Sequence, residues 1–334
     1  MKKILITGST GFVGSHILEH MMQQTDIQII AACRNPSDLP ATFNGEIRQG
    51  DLRDFAYIDH LVKGVDVICH AAAWSSLWGH AKESRSLYLE PSLTLIDQAI
   101  KQGVKRFINI STTSACPSQS ADPFSPGIKK TFWPHLSSMI EIENTMQRRA
   151  SEGCQMINLR LGLFAGARYG LGLLPILLPR LKTHLVPWVN AGKTAMPIID
   201  GRDIGQAFTL ASLATGLKNH ENFNIVGPSI PNAREVIEYI HNEFGYPKPH
   251  FSVPFFIAYP FAQLMELIDP LVPWEPLVTR SIIHLLEDTH ADNKKTIDLL
   301  GYQPAFSWQE AVSRQIESMH ARNEAPMKMA KQIT

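Results

Sequence analysis

The sequence predicts an α/β fold: a doubly wound parallel sheet with helices on both faces and a smaller C-terminal cap. Three observations carry this. First, the run Ile4-Leu5-Ile6-Thr7 ends in a glycine-spaced turn, Gly8-Ser9-Thr10-Gly11-Phe12-Val13-Gly14, which opens a helical pattern. Second, short apolar runs alternate with longer helical stretches through the first half, an order that needs crossover connections and hence parallel strands. Third, runs such as Ile27-Gln28-Ile29-Ile30 and Val65-Asp66-Val67-Ile68 are rich in β-branched residues, as suits strands covered on both faces.

Strands are expected at 3–7, 28–33, 46–49, 65–70, 106–110 and 155–160. Helices are expected at 12–24, 56–62, 84–102 and 136–151. Residues 1–165 then form one nucleotide-binding unit. After Gly166 prolines cluster and the helices shorten, so 166–323 reads mainly as a substrate-binding cap, with about 198–226 returning to the sheet. Residues 324–334 read as a polar tail that frays.

Composition narrows the function classes. Of 334 residues, 44% are hydrophobic and 19% charged, and Lys+Arg equals Asp+Glu at 31 each, which argues against nucleic acid as a partner. The cysteines, Cys33, Cys69, Cys116 and Cys154, show no CxxC spacing, and the 13 histidines form no HExxH, so buried thiols are expected and neither a disulfide framework nor a metal site. Met1-Lys2-Lys3 runs straight into a strand pattern rather than a long apolar segment, so a cytoplasmic protein without signal peptide is expected. Residues 251–265 carry no charge but contain Pro254 and Pro260 and fall short of the roughly 20 residues of a membrane span. They read as core or pocket wall, with membrane-surface contact as the alternative.

The glycine turn carries the sharpest chemistry. Gly8 permits the tight turn, Gly11 lets backbone approach a diphosphate, and Gly14 lets the helix pack close to the sheet. The helix start then offers free N–H groups and a positive dipole end to the anion. Thr7, Thr10, Phe12 and Val13 complete this cofactor segment. Arg34, at the end of the second strand, stands where a carboxylate would favour NAD, and an arginine suits the extra phosphate of NADP. NADP is therefore favoured over NAD.

With these residues the chain resembles the extended short-chain dehydrogenase/reductase superfamily, the NAD-dependent epimerase/dehydratase family. Gly50-Asp51-Leu52 resembles its adenine-contacting segment, and His70-Ala71-Ala72-Ala73 the segment beneath the cofactor. Asn109-Ile110-Ser111-Thr112-Thr113 is similar to the end of the fifth strand, and Leu159-Arg160-Leu161-Gly162 to a Leu-Arg-Pro-Gly segment with Leu161 in place of proline. Segments 198–204 and 300–304 resemble late landmarks. The resemblance implies a Rossmann sheet and assigns Asp51, Leu52, Ala71, Ala72 and Ala73 to the cofactor. Cys33-Arg34-Asn35-Pro36 resembles reductases of the dihydroflavonol-reductase type.

The catalytic pattern departs from the family. Its Tyr-x-x-x-Lys pair supplies a general acid/base and the lysine that activates it. Here His135 stands at the tyrosine place and Met139 at the lysine place, with Glu141 and Glu143 following. Methionine cannot donate a hydrogen bond to the cofactor ribose, whereas histidine titrates near neutrality unaided. His135 is the candidate for proton transfer and Thr113 for polarising a carbonyl.

Trp74, Leu77, Trp78, Phe132, Trp133 and 171–188 give the pocket an apolar cast, resembling the 3-beta-hydroxysteroid dehydrogenase-like branch. Arg168, Arg180 and Lys182 are candidates to meet an acidic group. An NAD(P)-dependent oxidoreductase acting on a hydrophobic carbonyl or alcohol is the expected function. A non-catalytic dinucleotide-binding sensor or assembly subunit, and an epimerase or dehydratase, are the alternatives. Helices 84–102 and 136–151 match those that pair subunits in relatives, so a homodimer is expected.

Overall fold

The structure is a computed structural model that describes residues 1–116, 127–269, 278–286 and 291–332, with side chains as far as 322. In the first half, β1 (Lys2–Thr7) leads to α1 (Phe12–Met21), β2 (Ile27–Cys33), β3 (Glu46–Gln49), α2 (Phe55–Leu61) and β4 (Val67–His70). Then come α3 (Ala81–Ser84), a π-helical turn (Arg85–Leu89), α4 (Glu90–Lys101), β5 (Arg106–Thr112), α5 (Pro134–Arg149) and β6 (Gln155–Leu161). The second half holds β7 (Leu163–Ala165), α6 (Leu173–Leu181), β8 (Trp188–Val189), β9 (Ile198–Asp200), α7 (Gly201–Leu213) and β10 (His220–Ile225). It ends with α8 (Ala233–Phe244), β11 (Ser252–Val253), α9 (Phe255–Ile268), α10 (Arg280–Leu285), α11 (Lys294–Leu300) and α12 (Trp308–Gln332).

Seven strands form one parallel sheet in the order β10-β6-β5-β4-β1-β2-β3. The chain leaves β1 in one direction through β2 and β3, then returns to β4 on the other side. That reversal opens a crevice at the carboxyl ends of β1 and β4, where doubly wound sheets hold ligands.

Alternation along each strand feeds two cores. Ile4 and Ile6 face α1 and α7, packing with Val13, Ile17, Leu18, Ile204 and Phe208. Leu5, Ile30, Ile68 and Phe107 face the other way, onto Ile58, Leu95, Ile96, Ile142 and Met146 of α2, α4 and α5. A third core holds the second half together, with Leu174, Trp188, Met196, Val236, Trp308 and Ile316 buried.

Several boundaries differ from the sequence reading. β4 starts at Val67, because Asp66 is spent accepting the Lys3 backbone N–H at 2.8 Å. The helix expected over 84–102 is interrupted by the π turn. Pro91 has no N–H for the Leu87 carbonyl and its ring would press on it, so the widened turn accommodates the proline. The 136–151 helix starts earlier, with Pro134 in its first turn where no N–H is needed. α12 runs to Gln332, through most of the segment read as a fraying tail.

The 251–265 segment is the short strand β11 followed by α9, a helix with two unlike faces, rather than a wholly buried wall. Ala258, Ala262 and Met265 are inside, and the larger apolar residues between them are exposed.

Candidate cofactor cleft and active site

The glycine turn is built by close approach. Gly8 has φ +65°, and a Cβ there would stand 2.7 Å from Ala72 Cα, so the segment after β4 presses directly on the turn. A Cβ on Gly14 would stand 2.1 Å from the Gly8 carbonyl oxygen, so only glycine lets α1 start this near the strand. The Gly11 N–H closes the turn on the Gly8 carbonyl at 2.9 Å. Gly11 caps α1 with no side-chain hydrogen bond, and the first turn has no acidic residue. The N–H groups of Phe12, Val13 and Gly14 are thus available to an anion.

Thr7 and His70 floor the crevice. The His70 ring bridges Thr7 Oγ1 (2.8 Å) and Ser92 Oγ (3.0 Å), and Thr7 Oγ1 also accepts the Ala72 N–H at 3.3 Å. Burial pushes the His70 pKa down to about 4, so this ring is a neutral strut.

Above them lies a cleft of about 440 Å³. Thr7, Gly8, Thr10 and Gly11 line it at the turn, and Ala71, Ala72 and Ala73 along β4's exit. Arg34, Asp51 and Leu52 line one end, and Trp74, Leu87 and Tyr88 are also in its wall. Phe12, Val13 and Gly14 are not in the wall. Val13 is buried in the core, and the Phe12 ring packs 4.5 Å from Tyr169.

At the Arg34 end the sequence reading missed Arg53. Its guanidinium grips Asp51 through Nε (2.9 Å) and Nη2 (2.6 Å), and this holds the Asp51 carboxyl below the ordinary range. Arg34 is exposed at the mouth of the cleft. The nearby Asp38 carboxylate accepts from Asn35 at 3.1 Å. The uncapped helix start and the glycine-lined wall fit a diphosphate, and the exposed Arg34 guanidinium fits further negative charge, whereas Arg53 is engaged by Asp51.

Residues 4–226 match the NAD dependent epimerase/dehydratase family. The chain belongs to that family. It is 25% identical to a 3beta-hydroxysteroid-dehydrogenase/decarboxylase of Arabidopsis thaliana over 94% of its own length, but spans only 61% of that relative. It is 24% identical to a putative dihydroflavonol 4-reductase of Synechocystis, covering 92% of both chains. Among solved structures, a UDP-glucose 4-epimerase of Thermotoga maritima with bound UDP-glucose superposes with TM-score 0.70 at 19% identity, covering 96% of this chain and 99% of that one. The Thermus thermophilus UDP-glucose 4-epimerase, solved with NAD, gives 0.68 at 18% identity, covering 95% and 99%. These likenesses establish a shared fold.

This epimerase/dehydratase-family chain differs from the family pattern at the start of α5. His135 is 9% exposed, its Nδ1 has no hydrogen-bond partner among the described residues, and burial pushes its pKa down to about 4. It is absent from the cleft wall, but its ring lies 5.2 Å from that of Tyr88, which is in the wall. The Tyr88 Oη is also buried and without a partner among the described residues, and burial raises its pKa. Sequence reasoning missed Tyr88. The signal was Pro91, which forces the π turn that carries the tyrosine.

Met139 joins the apolar core beneath. Thr113 is buried in the short turn Thr113–Ala115 after β5, and that turn packs against α5.

Behind this point is a buried ionic network. Arg160 donates to Glu143 through Nε (2.9 Å) and Nη2 (2.6 Å), and Nη1 lies 2.9 Å from Cys116 Sγ. Ser111 Oγ donates to Glu143 as well. The network ties β5, β6 and α5 together, and so fixes where Thr113 and His135 start from.

The expected pocket segments divide. Trp133 donates its indole N–H to the Ser76 carbonyl at 2.9 Å and meets His284 edge-on at 6.0 Å. Phe132 packs edge-on against Tyr259 at 5.8 Å, with the Arg280 guanidinium 5.0 Å from its ring. By contrast, Leu174, Leu178 and Leu181 of α6 are cap core. Arg168 is engaged by Glu19 at 2.7 Å rather than free for an acidic ligand, and Lys182 stands over Tyr246.

Proposed function

We propose that the chain is an NADP-preferring oxidoreductase that acts on a hydrophobic alcohol or carbonyl compound. One observation carries the reading. The wall of a glycine-lined cleft carries Arg34 and the buried Tyr88, and the Tyr88 ring lies 5.2 Å from that of His135, buried outside the wall. On this reading residues 1–165 cradle the dinucleotide, and most of 166–323 shapes the substrate side, with 198–226 belonging to the sheet. The protein is cytoplasmic and pairs as a homodimer through α4 and α5, which sedimentation at micromolar concentration tests.

The N–H groups of Phe12, Val13 and Gly14 hold the diphosphate. Arg34 takes the 2′-phosphate, while Asp51 and Leu52 flank the adenine. Ala71, Ala72 and Ala73 form the floor. The bound dinucleotide supplies or accepts the hydride. Thr113 Oγ1 donates to the substrate oxygen and orients it. His135 accepts the alcohol proton on a ring nitrogen in one direction and returns it in the other. Burial disfavours the imidazolium, which makes the protonated ring a stronger acid toward the substrate oxygen.

A second reading, a dinucleotide-binding subunit without catalysis, is favoured by the place of His135 outside the cleft wall and of Met139 in the core. Steady-state turnover of NADPH with a panel of apolar ketones separates the two. Ketone-dependent oxidation supports the oxidoreductase. Tight NADPH binding with no turnover across the panel supports the second reading.

A further inference from the structure

α9 presents an apolar face that is exposed among the described residues. Its inner side, Ala258, Ala262 and Met265, is buried, and Ala258 and Ala262 pack with Val253 and Ile283. Its outer side carries Ile257, Phe261, Leu264 and Leu267 (68% exposed), spaced three and four apart, with Phe256 (77% exposed) beside Ile257, so that they form one broad stripe. Large apolar side chains at this density on a surface mark a place of contact.

The charge around the start of α9 says what kind of contact. β8 and β11 pair in parallel, with the Trp188 N–H on the Phe251 carbonyl at 2.8 Å, which brings the segments before them side by side. The His184 and His250 rings stack at 5.7 Å. Lys182 and Lys248 are exposed on the same two segments, next to the exposed apolar Leu185 and Phe251. Neither 182–189 nor 246–265 contains a carboxylate, although acids and bases balance at 31 each over the chain. An apolar helical stripe with lysines and histidines near its start, and with the acid inside α9, Glu266, paired to Arg280 at 2.6 Å, complements a bilayer surface with anionic headgroups. There the apolar side chains enter the acyl boundary and the cations meet the headgroups.

We propose that α9 docks this protein onto an anionic lipid bilayer as an interfacial helix. The helix lies on the surface rather than crossing it, since among the described residues no helix is long and apolar enough to span. The contact does not depend on the proposed chemistry. It would, however, bring Tyr259, and with it Phe132, close to a reservoir of apolar molecules.

The test is co-sedimentation of the full chain with vesicles of phosphatidylcholine and phosphatidylglycerol, and with phosphatidylcholine alone. Wild type is expected to bind the anionic vesicles and to bind neutral ones weakly. Phe256→Ser with Leu267→Ser should weaken binding by about tenfold or more. Lys182→Glu with Lys248→Glu should abolish the preference for anionic vesicles. All four positions are exposed, so the variants should keep NADPH binding, which reports folding separately. Wild type that stays in the supernatant with anionic vesicles overturns the proposal. So does a dimer in solution that Phe256→Ser with Leu267→Ser dissociates while vesicle binding is unchanged, because the stripe then belongs to a second copy.

Discussion

Replacing Gly14 and Gly11 one at a time by alanine separates packing from binding within a single turn. On Gly14 the new methyl would stand 2.1 Å from the Gly8 oxygen and 2.9 Å from Ser9 Cα. Carbon contacts favour about 3.5 Å, so the start of α1 must retreat by roughly 1 Å. A retreat of that size takes N–H groups out of the 2.7–3.2 Å range of good hydrogen bonds. A bond to a charged group is worth about 1.5–3 kcal/mol, so losing one lowers dinucleotide affinity by roughly 10–100-fold. Overpacking costs a further ~1–3 kcal/mol of stability, a fall of several degrees in melting temperature. On Gly11 the nearest atom to a new methyl is the Gly8 oxygen at 3.2 Å, so the fold accommodates it, but Gly11 lines the cleft. Gly11→Ala should therefore lose affinity and keep its melting temperature, whereas Gly14→Ala loses both. Calorimetric titration with NADPH and a thermal melt of the free protein read the two effects. If Gly11→Ala binds NADPH as wild type does, the diphosphate is not where this account puts it. If Gly14→Ala melts and binds as wild type does, the packing argument is wrong.

Further outcomes follow from the buried polar groups. Glu143→Ala leaves Arg160 buried without its carboxylate and should cost about 3–5 kcal/mol. Denaturant unfolding checks it, and a loss below about 1 kcal/mol would show that the network relaxes. His135 has an unfolded-state pKa of 6.5 and a folded one of about 4, so the folded form binds fewer protons between them. Its stabilising share is therefore present above pH 6.5 and is lost as pH falls, by about 2 kcal/mol between pH 7 and pH 5. Wild type should show this extra loss relative to His135→Phe, and parallel stability profiles would contradict it. On a verified substrate, His135→Phe should lower turnover by roughly 10²–10⁴ with cofactor affinity nearly constant. The acid limb of the wild-type profile should lie near pH 4, and undiminished turnover in the variant would assign the proton to another group.

The sheet was legible because its signals are local. The glycine turn, the β-branched runs and the crossover spacing each follow from neighbours in sequence. Those signals place Gly8 and Gly11 at one cleft, and the resemblance to the family adds Ala72 and Asp51. The catalytic end was not legible in the same way. Whether His135 meets the cleft depends on Tyr88, forty-seven residues earlier, and on a π turn created by a single proline. Arg53 was passed over because a charged residue after Asp51 reads as an ordinary surface cation until its guanidinium is seen gripping that carboxylate. The 251–265 segment misled because its apolar content is uniform. Hydrophobicity alone does not say which face of a helix finds a partner, and here alanines take the inner positions while the phenylalanines and leucines point outward.

The central claim is that the cleft holds a nicotinamide dinucleotide with its adenosine end at Arg34. Calorimetric titration of NADPH and NADH into wild type and into Arg34→Ala tests it most directly. The account predicts that wild type binds both and binds NADPH at least about tenfold more tightly, and that Arg34→Ala removes most of that advantage while leaving NADH affinity nearly unchanged. Absence of binding by either nucleotide would contradict the cofactor assignment, and equal affinities that Arg34→Ala does not alter would contradict the role given to the arginine.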